Sequence, residues 1–131
     1  MASKVKTITP SDVMSPIGPY SHIAKSGNFI SISATAGVDP TTQKLAGLDI
    51  KSQTRQIIHS FEKMLNSVNS DFAHILHVNI FLKDMKDYAA MNDAYGAAMG
   101  AYRPARTVVG VASLPKTGAL VTMNLTAVEK D

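Results

Sequence analysis

Apolar residues recur at two spacings along this chain, and the switches between them mark out its elements. From Val5 to Thr9, Ser21 to Lys25 and Phe29 to Thr35 the spacing is two, the period of a strand. In the third run Ile30, Ile32, Ala34 and Ala36 share one face, and Phe29, Ser31, Ser33 and Thr35 the other. Ser26-Gly27-Asn28 supplies the turn before it, and Asp39-Pro40-Thr41-Thr42 makes another. Between Met14 and Pro19 two prolines and a glycine forbid regular structure, so that stretch is a loop.

At Asp49 the period becomes helical. Ile50, Ile57, Ile58, Phe61, Met64, Leu65 and Val68 form one stripe, with Asp49 as N-cap and Asn69 ending the run. Ile75 to Leu82 returns to alternation, with Leu76, Val78, Ile80 and Leu82 as the core face and Ile75, His77, Asn79 and Phe81 opposite. A second helix runs from about Lys86 to Met99, with Tyr88, Met91, Tyr95 and Met99 toward the core and Gly100 as its stop. Two strand-forming runs then flank Leu114-Pro115-Lys116-Thr117-Gly118, which reads as a hairpin connection. On the first, Arg106, Val108 and Gly110 share a face. On the second, Val121, Met123, Leu125 and Ala127 face the core, while Thr122, Asn124 and Thr126 look away. A hairpin with matched faces sets Arg106 opposite Thr122 or Asn124, with Cβ atoms roughly 5 Å apart.

The order ββ(β)αβαββ predicts an α+β fold: one mixed, mostly antiparallel sheet with two helices packed on one face. The other face would carry Ser31, Ser33, Thr35, Asn79, Thr122 and Thr126, but also Phe29, Phe81 and Val108. Such a face is too apolar to stay wet and too polar for a core. It invites burial against other subunits.

Composition narrows the function classes. The 131 residues suit a single domain, residues 1-131, and 45% apolar with 18% charged residues argues against disorder. No apolar run approaches the ~20 residues that span a bilayer, so no membrane role is expected. With no cysteine there are no disulfides, thiolate nucleophiles or cysteine-based metal sites, which fits a cytoplasmic protein. Met1 to Lys6 lacks an apolar signal core and is too short for a transit peptide. A net charge of +3, with lysines scattered from Lys4 to Lys130, shows no nucleic-acid-binding arm or face. Gly-x-Ser-x-Gly, phosphate-loop, His-Glu-x-x-His and dinucleotide patterns are all missing, so no metal or cofactor is implied. His74 and His77 fall on opposite faces of a strand, and His59 on the outer side of the first helix. All three read as structural or surface residues.

Arg106 is the side chain with the most specific chemistry. A guanidinium grips a carboxylate through two parallel hydrogen bonds. Taken alone, it reads first as a solvated arginine on the open face. Asn92 interrupts the stripe of Tyr88, Tyr95 and Met99, where an amide needs partners or must sit at the edge facing water.

Arg103-Pro104-Ala105-Arg106, a valine-rich strand and Leu114-Pro115 together resemble the signature of the reactive intermediate (enamine/imine) deaminase family, RidA/YjgF. Ile17-Gly18-Pro19-Tyr20-Ser21, Gly47-Leu48-Asp49-Ile50, Gln53-Thr54-Arg55-Gln56 and Val78 to Met85 match in order and spacing. The resemblance implies a chorismate-mutase-like fold and a homotrimer with sites in clefts between subunits. It implies Arg106 as substrate anchor, Tyr20 closing over the ligand, and Asn92, Ser33, Ala34 and Val108 lining the site. His22 is drawn toward the site because it follows Tyr20 and Ser21. The expected substrate is a small carboxylate-bearing imino acid, hydrolysed without a cofactor to a 2-oxo acid and ammonia.

Three positions depart from the family pattern. Ala34 stands where relatives usually have glycine, and Val108 where a cysteine is common. Thr122 stands where deaminating relatives mostly carry a glutamate thought to position the attacking water. A hydroxyl orients water without accepting its proton, and losing a general base typically costs roughly 10²–10⁴-fold. Imine hydrolysis is facile enough to tolerate that loss. The alternative is a non-catalytic small-carboxylate-binding, chaperone-like or regulatory protein. The endoribonuclease label attached to the family ranks last, since neither paired acid/base groups nor a basic groove is visible.

Overall fold

The computed structural model describes residues 4–131, so the first three residues of the Met1 to Lys6 segment lie outside the described ones. In chain order the elements are β1 (Lys6–Ile8), β2 (Ile23–Ser26), β3 (Phe29–Ala36), β4 (Val38–Asp39), β5 (Lys44–Leu45) and α1 (Ile50–Ser67). Then follow β6 (Ile75–Leu82), α2 (Tyr88–Met99), β7 (Ala105–Gly110) and β8 (Val121–Val128). Six strands form one sheet in the order β1-β2-β3-β8-β6-β7, and β4 and β5 pair as a small separate hairpin. Only β6 and β7 are parallel, so the sheet is mixed and mostly antiparallel. The two helices pack on each other and cover one face, α1 lying against β3 and β8. This is the α+β arrangement the pattern predicts.

The core lies between the helices and that face. Ile57, Phe61, Met64 and Leu65 of α1 and Met91 and Met99 of α2 meet Ile30, Ile32, Val78, Ile80, Met123 and Leu125 of the sheet. Full burial of each such side chain is worth about 1.5–3 kcal/mol. The α1 start is fixed as expected: the Asp49 carboxylate accepts from the Ser52 backbone N–H at 2.9 Å. That bond holds its carboxyl below the ordinary range. Asn69 (φ 58°) and Gly100 (φ 67°) turn the chain just past each helix.

The last two strands do not form the expected hairpin. Helix α2 carries the chain back across the sheet, as parallel pairing requires, and β7 joins β6 in parallel. β8 then enters between β3 and β6, hydrogen-bonded on both sides. Its side chains, all buried or half-buried, suit a central strand, whereas the more exposed β7 stays at the edge. The parallel register also places Arg106 and Val108 in rows with Val78 and Ile80, whose side chains are buried beneath the helices. Val108 therefore packs on the core side and not on the open face, which Val109 takes instead.

Two bulges shift the alternation elsewhere. The β3–β8 register breaks between Ile32 and Thr35, so Thr35 is buried and Ala34 is exposed, the reverse of the expected faces. A similar break between Ile75 and His77 buries Ile75 and exposes Leu76. His74 lies in a short 3₁₀ turn ahead of β6, bonded to Asp71 at 2.6 Å, rather than in the strand. Tyr88, placed in the core stripe by its spacing, is exposed at the start of α2.

One buried polar side chain organises the long connection to β8. Gln53 donates to the carbonyls of Gly47 (3.0 Å) and Gly118 (3.1 Å) and accepts from Leu120 N–H at 2.8 Å. Gly37 makes this possible, because a β-carbon there would lie 2.5 Å from the Gln53 carbonyl oxygen. Among the described residues no helix is long and apolar enough to cross a membrane.

Candidate functional site

The predicted site residues fall into two groups, on opposite faces of the sheet. Arg106 shares its row with Val78 and, one strand further, Leu125, both buried on the helix side. It lies on the edge strand of the sheet, and its guanidinium reaches over α2. Its Cζ lies 5.0 Å from the centre of the Tyr95 ring and 5.9 Å from that of Tyr88. One arginine N–H (Nη2) donates to the Tyr88 hydroxyl at 3.3 Å. Asn92 stands one turn beyond Tyr88, half-buried, with its Oδ1 enclosed and without a hydrogen-bond partner. Val108 is half-buried on the same face as Arg106.

The electrostatics of this group are lopsided. Among the described residues Arg106 makes no ion pair with a carboxylate. Its positive charge is stabilised by ring faces and a phenol oxygen, which leaves most of the guanidinium fork for an incoming anion. Hydrogen bonding with Asn92, aided by the Arg106 charge, holds the Tyr88 phenol below its ordinary value. Burial pushes the Tyr95 phenol up, opposed by Arg106 and Arg103. The Tyr95 hydroxyl is enclosed without a partner.

The second group lines a cleft of about 350 Å³ under the loop that precedes β2. Tyr20, His22, Ser33, Ala34, Thr35, Pro115, Lys116 and Thr122 all contribute to its wall, and Arg106, Asn92 and Val108 do not. Thr122 pairs with Ala36 on one side and Phe81 on the other, on the face away from the helices, since Val121 and Met123 beside it are buried beneath them. The Ser33 hydroxyl donates to the Ser21 carbonyl at 2.6 Å, which leaves its oxygen lone pairs for a bound donor. The Tyr20 ring stands edge-on to His22, centroids 6.0 Å apart, and its hydroxyl accepts from Ile17 N–H at 3.4 Å. His22 is almost fully buried; its Nε2–H donates to the Met14 carbonyl at 2.7 Å, and its Nδ1 has no partner. Among the described residues, none that lines this wall is an aspartate or glutamate.

Arg106 and Thr122 are therefore not cross-strand neighbours. They sit on opposite faces with β6 between them, and two strand spacings amount to about 10 Å. The expected polar strip headed by Arg106 does not exist within one chain. The open face instead carries the Asn79–Asn124 amide pair (2.9 Å) and the His77–Thr107 bond (2.9 Å). Among the described residues no group of three His, Asp or Glu side chains is placed to hold a metal.

The family model described as Endoribonuclease L-PSP matches residues 11–129. The chain belongs to this family, the RidA/YjgF family. A RutC family protein of Pyrococcus horikoshii is 41% identical over 101 residues, covering 77% of this chain and 80% of that protein. Reactive Intermediate Deaminase A, chloroplastic, of Arabidopsis thaliana is 31% identical over 116 residues, 87% of this chain and 62% of that one. The crystal structure of the YjgF gene product from E. coli superposes with a TM-score of 0.88 at 29% identity, covering 95% of this chain and 99% of that one.

Within this RidA/YjgF chain, sequence reasoning overlooked the surroundings of Arg106. Tyr88 and Tyr95 are its immediate neighbours, yet helical spacing assigns both to the core. The available signal was Asn92 itself, because an amide flanked by Tyr88 and Tyr95 marks a helix face that is not purely apolar. In the sequence Lys116 reads only as part of a turn. It reaches the cleft because Gln53 pins the connection that carries it.

Proposed function

We propose that the protein hydrolyses small imino acids to 2-oxo acids and ammonia, at sites shared between copies of the chain in a homotrimer. The observation that carries this reading is Arg106: a guanidinium held by two tyrosines at a sheet edge, without a carboxylate of its own. A substrate carboxylate in that fork gains a charged bidentate contact worth roughly 1.5–3 kcal/mol. The name of the Arabidopsis relative, Reactive Intermediate Deaminase A, points to the same chemistry. The cleft is of a size for a molecule of a few carbons. Bringing the cleft of one copy against the Arg106 edge of the next would join the two groups. Tyr20 would then close over the substrate, and the Ser33 and Thr122 hydroxyls would orient the attacking water.

The cleft's lack of a carboxylate favours one second reading, a protein that binds small carboxylates without turning them over. Generating an imino acid with an amino-acid oxidase, in the presence of semicarbazide, separates the two. A deaminase competes with semicarbazide and releases ammonia, and Arg106→Ala abolishes the competition. If no rate above buffer is found while 2-oxo acids still bind in an Arg106-dependent way, the binding reading replaces it. RNA cleavage has less support, since the one imidazole on the cleft wall has both ring nitrogens engaged or enclosed. A cytoplasmic location belongs to the same proposal. Fractionation of the native host tests it, the Arabidopsis relative being named chloroplastic.

A further inference from the structure

The geometry points to Tyr88 as the proton-transferring residue of the reaction, acting on the substrate that Arg106 holds. This inference rests on the deaminase reading and names the acid/base group that the cleft lacks. The Tyr88 oxygen accepts from Arg106 Nη2 at 3.3 Å and is hydrogen-bonded with Asn92. Asn92 Oδ1 has no partner, so the phenol is not donating to it. With its oxygen accepting on both sides, Tyr88 has its own hydrogen left to donate outward. The residue is 38% exposed, at the edge where an anion would enter the arginine fork. A carboxylate bound there places the adjoining imine carbon and nitrogen one or two bonds away, within hydrogen-bond reach of a hydroxyl that touches the same guanidinium.

Two features make the phenol suited to the task. Asn92 and the Arg106 charge hold it below its ordinary value, so it gives up a proton more readily than a free tyrosine. The phenolate formed would lie beside a permanent cation. Arg106 from β7 is the charged side chain facing it, and Tyr95 and Asn92 are its neighbours on α2.

The step balances without a further reagent. As water oxygen bonds to the imine carbon, the C=N π pair moves to nitrogen, which takes the Tyr88 proton. The phenolate then takes a proton from the added water and gives a neutral carbinolamine. In the second half Tyr88 protonates the amine, the C–N bond breaks with its electron pair leaving on ammonia, and the phenolate removes the remaining hydroxyl proton. The 2-oxo acid is formed and Tyr88 is restored.

Tyr88→Phe removes one oxygen from an exposed ring, so the fold should survive, which thermal melting checks. In the semicarbazide competition it should lower kcat roughly 10²-fold. Calorimetric affinity for an inert 2-oxo acid should change by less than about threefold, since the cation–ring contact remains. The wild-type rate should fall as pH rises through the phenol's titration, which lies below the ordinary tyrosine range, and Tyr88→Phe should lose that limb. Placing a fluorinated, more acidic tyrosine at position 88 should move the limb to lower pH. A wild type that competes well, with Tyr88→Phe equal to it and the limb unmoved, overturns the role of Tyr88 and leaves the deaminase reading standing. A wild type with no activity above buffer overturns both.

Discussion

The Arg106 edge and the Thr122 cleft are built from opposite materials. The first is a permanent cation lying over the faces of Tyr88 and Tyr95 on an edge strand, open to solvent and short of an anion. The second is a half-open cleft lined mainly by hydroxyls and apolar groups, with Lys116 at its wall and no carboxylate among its lining residues. A cation at an open edge recognises a charged group at little desolvation cost, whereas hydroxyls on a cleft wall orient a neutral molecule such as water. Under the proposed function, recognition and water placement are therefore assigned to different faces of one sheet. The fold dictates this division, because β6 separates β7 from β8 and alternation turns Arg106 and Thr122 to opposite sides.

The sharpest way to disturb one region and not the other is Gln53→Ala. It would leave the Leu120 N–H and two carbonyls without their buried partner and free the connection that carries Pro115 and Lys116 to the cleft. The expected loss is about 3 kcal/mol in denaturant unfolding. Carboxylate affinity per folded molecule should change far less, since Arg106 and α2 are untouched. Arg106→Ala does the converse. It should weaken 2-oxo acid binding about ten- to a hundredfold in calorimetry, with Arg106→Lys in between because it keeps the charge and loses the fork. Stability should barely move.

Thr122→Glu addresses the cleft's missing carboxylate. It should raise kcat for imino-acid hydrolysis about tenfold, less than a lone general base supplies, because Tyr88 already moves the proton. Affinity for inert 2-oxo acids should stay level or fall slightly through like-charge repulsion. A wild type as fast as a glutamate-bearing relative would show that the threonine is no handicap. The smallest effect belongs to Tyr95→Phe. The ring stays beneath Arg106, and the hydroxyl removed is enclosed without a partner. Stability should be unchanged or up to about 1 kcal/mol higher, and a clear loss would mean that hydroxyl has a partner when the protein works.

The sequence pattern carried the element types, because each depends on neighbours a few residues apart. Asp49 beside the stripe from Ile50 to Val68 reports a capped amphipathic helix by itself, and Gly100 reports its end for α2. Strand partnership is a different kind of information. That β8 enters between β3 and β6, rather than folding back on β7, follows from how many apolar groups each slot buries, a property of the assembled sheet. The bulges at Ser33–Ala34 and Leu76 are equally silent, since one extra residue flips every later side chain without changing the composition. The candidate residues could therefore be named while their grouping could not. Arg106 with Asn92 and Val108, and Thr122 with Tyr20, Ser33 and Ala34, separate only once the register is known.

The central claim is that one working site takes its arginine from one copy and its cleft from another. Mixing two inactive variants tests it most directly: Arg106→Ala, which keeps the cleft, and Ala34→Phe, which fills the cleft and keeps the arginine. The two would be unfolded and refolded together at equal amounts, with sedimentation reporting three times the 14.0 kDa chain mass. Random mixing should restore deaminase activity at about a quarter of the wild-type number of sites, since that fraction of neighbouring pairs joins an intact arginine to an intact cleft. Mixed trimers that stay inactive would show that each copy needs both its own Arg106 and its own cleft, and would contradict the shared site.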